Sequence, residues 1–275
     1  MNKLSKEKQI EIVKCLTEGM SLRATARMAD VSRNTVSKLL LEIGEACAIY
    51  HDQHVKNVTT KRVQVDEIWS FVYAKEKNVP EALKDTEGVG SVWTWTALDA
   101  DSKLVISYAV GNRDAETALE FMKDVKSRLA NRVQLTSDGF KAYLSAVEIA
   151  FQGEIDYAML IKVYGAAQND ERRYSPAECT ATVKQTVTGR PLKRDVSTSY
   201  IERQNLTMRM NMRRFTRLTN AFSKKVEYHV AAIALYFMHY NYVRIHQTLR
   251  CTPAMAAGIE KSLWGVKDLV ELLYA

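Results

Sequence analysis

The period of apolar and polar positions changes along the chain, and the changes mark its parts. Over the first fifty residues the apolar positions recur at helical spacing. SKEKQIEIVKCLTEG opens on Ser5, a predicted N-cap, sets Ile10, Val13 and Leu16 at helical intervals, and stops at Gly19. SLRATARMADVSRNTVSKLLLEI predicts two short helices. The first carries the apolar Ala24 and Met28, with Val31 following, and a tight turn runs through Asp30 to Ser32. Ser32 then caps a helix with Val36, Leu39 and Leu40 on one side. Residues 50–62, YHDQHVKNVTTKR, are polar and read as a linker.

From residue 63 the period becomes two. RVQVDEIWSFVY alternates as a strand, and SVWTWTALDADSKLVISYAVG predicts a hairpin turning at Asp99 to Ser102. DAETALEFMKDVKSRLA predicts a helix capped by Asp114, with Ala118, Phe121, Met122 and Val125 inward. RVQLTSDG is a fourth strand ending in Asp-Gly, and FKAYLSAVEIAF a further helix. Three strands, a helix, a strand and a helix is the order of a ribonuclease H-like α/β core, and order alone says nothing of activity. Residues 150–197 are polar and basic towards their end, and read as a loop or β-rich insertion. SYIERQNLTMRMNMRRFTRL, residues 199–218, reads as one helix with Ile201, Met208 and Phe215 as its buried stripe. A long amphipathic helix follows, in which Val226, Ala231, Leu235 and Phe237 serve core or interface, core being favoured. The predicted organisation is therefore a helix-turn-helix domain at 1–48, a linker at 49–62, a mixed-sheet α/β catalytic domain at 63–245 containing the 150–197 insertion, and a helical extension at 246–275.

Charge sharpens this picture. The 275 residues carry a formal net charge of +7, but ten Lys/Arg stand against Asp195 and Glu202 between Arg190 and Lys225. Such local excess points to a polyanionic partner, nucleic acid before membrane. No apolar run reaches membrane-spanning length, and the N-terminus lacks the apolar stretch of a signal peptide. Cys15, Cys47, Cys179 and Cys251 form no CxxC pair, which excludes a zinc ribbon and fits reduced thiols in the cytosol. His51 and His54 form an HxxH, but two ligands do not make a metal site. In the N-terminal helices Arg33, Asn34, Thr35 and Lys38, after Ser32, are placed to meet base edges in the major groove, unless the segment is a plain three-helix bundle.

Three carboxylates are candidates for chemistry. Asp66 interrupts an apolar strand, where an unpaired buried carboxylate is costly and is normally paired or metal-bound. Glu67 points to the opposite face of that strand, so Asp66 is the one chosen to line a site. Asp138 ends the fourth strand, where ligands of α/β sheets sit, although a turn residue is the alternative. Glu202 lies at the border of the buried helix stripe, with Asn205, Arg209 and Arg213 along one face. The alternative is a solvated Glu–Arg pair, which does not explain a lone acid in so basic a helix. Three oxygen ligands of this kind suit Mg²⁺, with Mn²⁺ able to replace it, and two ions can stabilise in-line phosphodiester displacement. Arg203, Asn205, Arg209, Arg213, Arg214, Arg217, Lys224 and Lys225 would face DNA.

VDEIWSF, SDGFKAY and above all YIERQNLTMRMNMRRFTRLTNAFSKKVEYH resemble the DDE-class transposases of bacterial insertion sequences, most closely the first-numbered family, which shares ERxNLxxR, a following RL, and FS with a basic residue. The resemblance covers roughly residues 60 to 240, and NYVRIHQTLRCTPAMAAGI is similar to a C-terminal signature of several transposase and integrase-like families. It implies Asp66, Asp138 and Glu202 as a metal-binding catalytic triad, spaced by 72 and 64 residues, with Arg209 in the basic place seven residues on. It also implies binding of terminal inverted repeats, 3′-end cleavage and strand transfer, a homodimer or larger assembly to pair two ends, and a bacterial cytoplasmic, nucleoid-associated setting. Founding members carry a cysteine-rich zinc-binding element before the helix-turn-helix, which this sequence lacks. A nuclease without strand transfer, or a domesticated DNA-binding regulator, stand as alternatives.

Overall fold

The computed structural model describes residues 4–84, 86–165, 179–216 and 220–275. Three helices lead: α1 (Lys6–Thr17), α2 (Leu22–Met28) and α3 (Arg33–His54). Each begins at a serine whose hydroxyl accepts an otherwise unpaired amide of the first turn. Ser5 takes Lys8 N at 3.3 Å, Ser21 takes Ala24 N at 3.1 Å, and Ser32 takes Thr35 N at 3.0 Å. Asp30 turns the chain between α2 and α3 at a φ of +49°. Two expectations change here. Met28 is exposed, and Thr25 and Ala26 face the core instead. The helix after Ser32 is not short either. It runs to His54, into the stretch expected to be a linker, because Ile43, Cys47 and His51 continue its buried face. His51 Nε2 lies 3.2 Å from the Val105 carbonyl, so the neutral ring donates there, and burial pushes its pKa down to about 4. His54 stacks on Tyr50, so the two histidines do not converge.

A six-stranded mixed sheet follows, in the order β3-β2-β1-β4-β5-β6. Its strands are β1 (Arg62–Val72), β2 (Gly90–Asp99), β3 (Val105–Gly111), β4 (Gln134–Ser137), β5 (Asp156–Tyr164) and β6 (Cys179–Thr188). β1, β2 and β3 form an antiparallel meander; β4 runs parallel to both β1 and β5, and β6 is antiparallel to β5. Within the 150–197 segment, β5 and β6 thus extend the sheet, while 166–178 lie outside the described residues. Asp99 belongs to the hairpin, as its sequence indicates: its carboxylate accepts from Thr60 Oγ1 and from the amides of Asp101 and Ser102.

The pleat of β1 divides two cores. Val63 and Val65 face helices α4 (Ala115–Arg128) and α5 (Ala142–Phe151), joining Trp95, Phe121 and Tyr143. Ile68 faces the other way, with Ile201, Met208, Phe215, Ile233 and Phe237 from helices α6 (Ser199–Asn211) and α7 (Val226–Met238) and the turn after α6. The expected helix over 199–218 ends early. Met212 is extended, and a 3₁₀ turn over Arg213–Phe215 returns Phe215 to the buried stripe. α7 widens into a π-turn at His239–Val243, and two short helices close the chain, α8 (Pro253–Ala256) and α9 (Val266–Glu271). Ala231, Leu235 and Phe237 of α7 are core residues, and Val226 is half-buried.

The N-terminal helices do not stand apart. Ile12, Leu40, Ile43 and Cys47 share one apolar cluster with Ala231, Leu235 and Met238. The close approach is at Gly44 of α3, where an added Cβ would fall 2.5 Å from Ala231 Cα and Cβ. Gly44→Ala is therefore expected to force α3 and α7 apart and to lower stability by about 1–3 kcal/mol despite the better helix propensity of alanine, measured by chemical denaturation.

Candidate active site

The site begins with β1. Gln64, Asp66 and Ile68 share one face of that strand, and α6 lies across it. Gln64 is buried, and its Oε1 accepts the amides of Tyr200 at 2.9 Å and Ile201 at 3.0 Å, two of the first-turn donors a helix leaves unpaired. One helical turn on from Glu202, Asn205 Nδ2 donates to Asp66 Oδ2 at 2.8 Å. Asp66 Oδ1 accepts the Glu67 amide at 2.9 Å. Asp138 follows β4 and folds back on itself, its Oδ1 taking the Phe140 amide at 2.9 Å. The parallel pairing Gln64↔Thr136, carried two residues further, brings Asp66 beside Asp138.

Glu67 is part of this group, contrary to the sequence reading that assigned it elsewhere. Ligand atoms of Asp66, Glu67 and Asp138 all lie within 4.8 Å of one another. Strand alternation does send Glu67 to the α5 face, where Tyr143 meets it, and β4 stops at Ser137. Glu67 is buried and firmly held: Arg113 Nε donates to Oε1 at 2.6 Å and Tyr143 OH to Oε2 at 3.0 Å. The Arg113 guanidinium also sits over the Phe140 ring, 4.0 Å from its centroid. No sequence signal marks Arg113, which lies in a connecting loop.

Glu202 lies outside this group and is otherwise engaged. Both of its oxygens are 2.6 Å from Lys162 Nζ, and Thr198 Oγ1 also donates to it. Lys162 interrupts the apolar YAMLIKVY of β5, the same kind of signal that singled out Asp66, and sequence reasoning passed over it. The electrostatics are unbalanced. Glu67 has Arg113 and Glu202 has Lys162, whereas the hydrogen-bond donors on Asp66 and Asp138 are neutral amides. Burial, together with the neighbouring Glu67, Asp138 and Glu202, pushes the Asp66 pKa up to about 7. Burial and Asp138 likewise raise Glu67. Asn205 Oδ1, beside Asp66, is buried without a partner among the described residues.

The candidate DNA-facing residues divide. Arg203, Arg213, Lys224 and Lys225 are exposed. Arg209 Nη1 donates to the Phe215 carbonyl at 3.4 Å, and Asn205 is committed to Asp66. Arg213 lies beyond the end of α6, so it does not continue the line of Asn205 and Arg209 on a helix face. Arg214 turns inward, donating to Ser223 Oγ at 2.7 Å and the Tyr228 carbonyl at 2.9 Å, and burial lowers its pKa to about 10. Arg217 lies outside the described residues. On α3, Arg33, Asn34 and Lys38 are exposed, Lys38 being 3.7 Å from Glu42, and Thr35 is half-buried with its hydroxyl against Ser32. A cavity of about 520 Å³ between β3 and α4, lined by Glu116, Glu120 and Asp124 among others, contains none of the site carboxylates.

The site thus joins a group of carboxylates on β1 and after β4 to the helix α6 that carries Glu202, Arg203 and Arg209. Residues 181–243, which contain α6 and α7, match the family described as IS1 transposase. The resemblance to DDE-class insertion-sequence transposases thus holds over that segment, which is less than half of the chain. No curated protein matches the sequence. Among solved structures, the chain is similar to a Mos1 transposase paired-end complex with left transposon end, at 14% identity and a TM-score of 0.26, covering 57% of this chain and 60% of that one. It is also similar to the Mos1 strand transfer complex, at 12% identity and a TM-score of 0.26, covering 87% and 78%. The likeness at such TM-scores is slight, and the site stands on its own geometry.

A pH dependence follows from Asp66. A carboxyl whose folded pKa lies above its unfolded value contributes stability at low pH that is lost as pH rises. Without metal, stability should fall with a slope of up to about 1.4 kcal/mol per pH unit between the usual aspartate pKa of 3.8 and about 7. Asp66→Asn should remove that slope, so that in EDTA the variant melts above the wild type at pH 8 and close to it at pH 4.

Proposed function

We propose that the chain is a DDE-class DNA transposase with a ribonuclease H-like catalytic core, in which Asp66, Asp138 and Glu202 form the catalytic, metal-holding set. The carrying observation is the uncompensated Asp66–Asp138 pair facing α6, in a chain whose α6 segment matches the IS1 transposase family. The donor set fits a hard divalent cation. It offers the carboxylate oxygens of Asp66 and Asp138, which have no cationic partner among the described residues, and the unpartnered Asn205 oxygen beside them. Mg²⁺ is the ion we assign, as a pair, with Mn²⁺ able to replace it; bound there, it would supply Lewis acidity to a scissile phosphodiester. Glu67, locked by Arg113 and Tyr143, would add a fixed negative charge to that cradle. Asn205 would hold the Asp66 carboxylate in place, and Arg203, Arg209, Arg213, Lys224 and Lys225 would draw the phosphate backbone along α6 and the segment after it.

Water is the nucleophile for 3′-end cleavage and the freed 3′-hydroxyl for joining to target DNA. Residues 1–48 would read the terminal inverted repeats as a helix-turn-helix domain, with Arg33, Asn34 and Lys38 exposed at the start of α3. The shared core of α3 and α7 favours a fixed orientation of this reading head over a loosely tethered one. Pairing two ends requires at least a homodimer.

The test is to incubate the protein with a labelled duplex bearing the element's terminal repeat and a supercoiled plasmid, in Mg²⁺ or EDTA. Joined products should require Mg²⁺. Glu202→Gln should reduce them by more than the roughly 10–100-fold typical of losing an outer-shell partner, since it removes a direct ligand. Nicks without joining would indicate a nuclease, and specific binding without any strand breakage a regulator. In binding titrations over several salt concentrations, Arg33→Ala should cost about 1–3 kcal/mol on the terminal repeat and little on random duplex. Lys225→Ala should weaken both alike and lower the salt slope by about 1.

A further inference from the structure

We infer that Lys162 is a positioning residue that competes with divalent metal for Glu202, holding the third carboxylate in reserve until a cation displaces it. The inference rests on the metal-site reading above. Lys162 leaves β5 at a point where the strand is paired on one side with β6, opposite Thr182, so its backbone position does not depend on its side chain. Its ammonium lies at the same 2.6 Å from both Glu202 oxygens, and Thr198 Oγ1 donates to Oε1 as well. Both Glu202 oxygens therefore accept hydrogen bonds from the protein's own side chains. Glu202 is carried by the same helix as Asn205, which touches Asp66 one turn further on. Glu202 stands outside the group of Asp66, Glu67 and Asp138, and the cation that holds it there is Lys162.

The charges define an order of events. Asp66 and Asp138 lack a cationic partner among the described residues and can take a first divalent ion with no ion pair broken. Glu202 can join only when Lys162 lets go, because an ammonium and a dication cannot share one carboxylate without strong repulsion. The pair is half-exposed, with side-chain exposures of 30% for Lys162 and 41% for Glu202, so it is weak enough to be exchanged. A lysine in this position keeps the protein from assembling its full metal set unassisted, while leaving the first ion's place open.

The test is Mn²⁺ binding to the full-length protein without DNA, followed by electron paramagnetic resonance of free Mn²⁺. Lys162→Met should tighten Mn²⁺ binding roughly fivefold, the order expected when Glu202 no longer has to be released from a half-exposed ion pair. Lys162→Gln, which keeps a polar side chain, should act in the same direction. The gain should vanish in the Lys162→Met/Glu202→Gln double variant, since the competition runs through Glu202. Equal affinity in wild type and both lysine variants would overturn the inference. So would a gain that persists undiminished in the double variant, which would mean long-range charge alone. If wild type shows no Mn²⁺ binding that Asp66→Asn removes, the metal-site reading itself fails and this inference with it.

Discussion

The seat of α6 on the polar face of β1 is the contact on which the site depends. Two residues two apart on one strand do the seating. Gln64 fills the open amides at the start of the helix, and Asp66 accepts from Asn205 one turn further along. A buried glutamine facing a helix N-terminus is satisfied by the very groups that otherwise go unpaired, so the two needs cancel. Apolar packing of Ile201 and Met208 against Ile68 supplies the area, but it could tolerate some sliding. The directional hydrogen bonds do not, and they set where Glu202 stands.

The same face carries the cost. Asp66 lies beside Glu67 and Asp138, and burial with these like charges raises its pKa because no cation among the described residues compensates them at Asp66. Arg113 and Lys162 neutralise the two glutamates and leave the two aspartates to neutral donors. A fold that tolerates this imbalance in its centre stores repulsion there, and a bound cation is the natural relief. Local strain of this sort belongs at a functional centre, whereas Asp99, more deeply buried, is satisfied by Thr60 and by the amides of its own hairpin.

The N-terminal helices show a related economy of contact. α3 is long because its second half serves the core that α7 also builds, with Gly44 allowing the two backbones to meet. The first turns of the same helix expose Arg33, Asn34 and Lys38. One rigid element therefore links the exposed basic turn to the helices that flank the carboxylates.

The elements of this protein were largely legible in its sequence because their signals are local. Ser5, Ser32 and Asp114 cap their helices as read, the hairpin turns at Asp99 to Ser102, and alternation in β1 sets Val63 and Val65 against Ile68. Asp66 and Asp138 could be singled out because each breaks a pattern within its own segment. The helix end at Asn211, the inward turn of Arg214 and the burial of His51 were not legible, since each follows from a partner more remote than the local pattern reaches. Above all, alternation in β1 separates Asp66 from Glu67, yet their carboxylates come within 4.8 Å of one another and of Asp138 in the folded protein. Lys162 and Glu202, forty residues apart, become partners only once β5 and α6 are packed. Sequence determined which side chains are chemically unusual. Which of them neutralise one another was decided by tertiary structure, because electrostatic pairing depends on distance in space and on burial, and neither is a property of a local pattern.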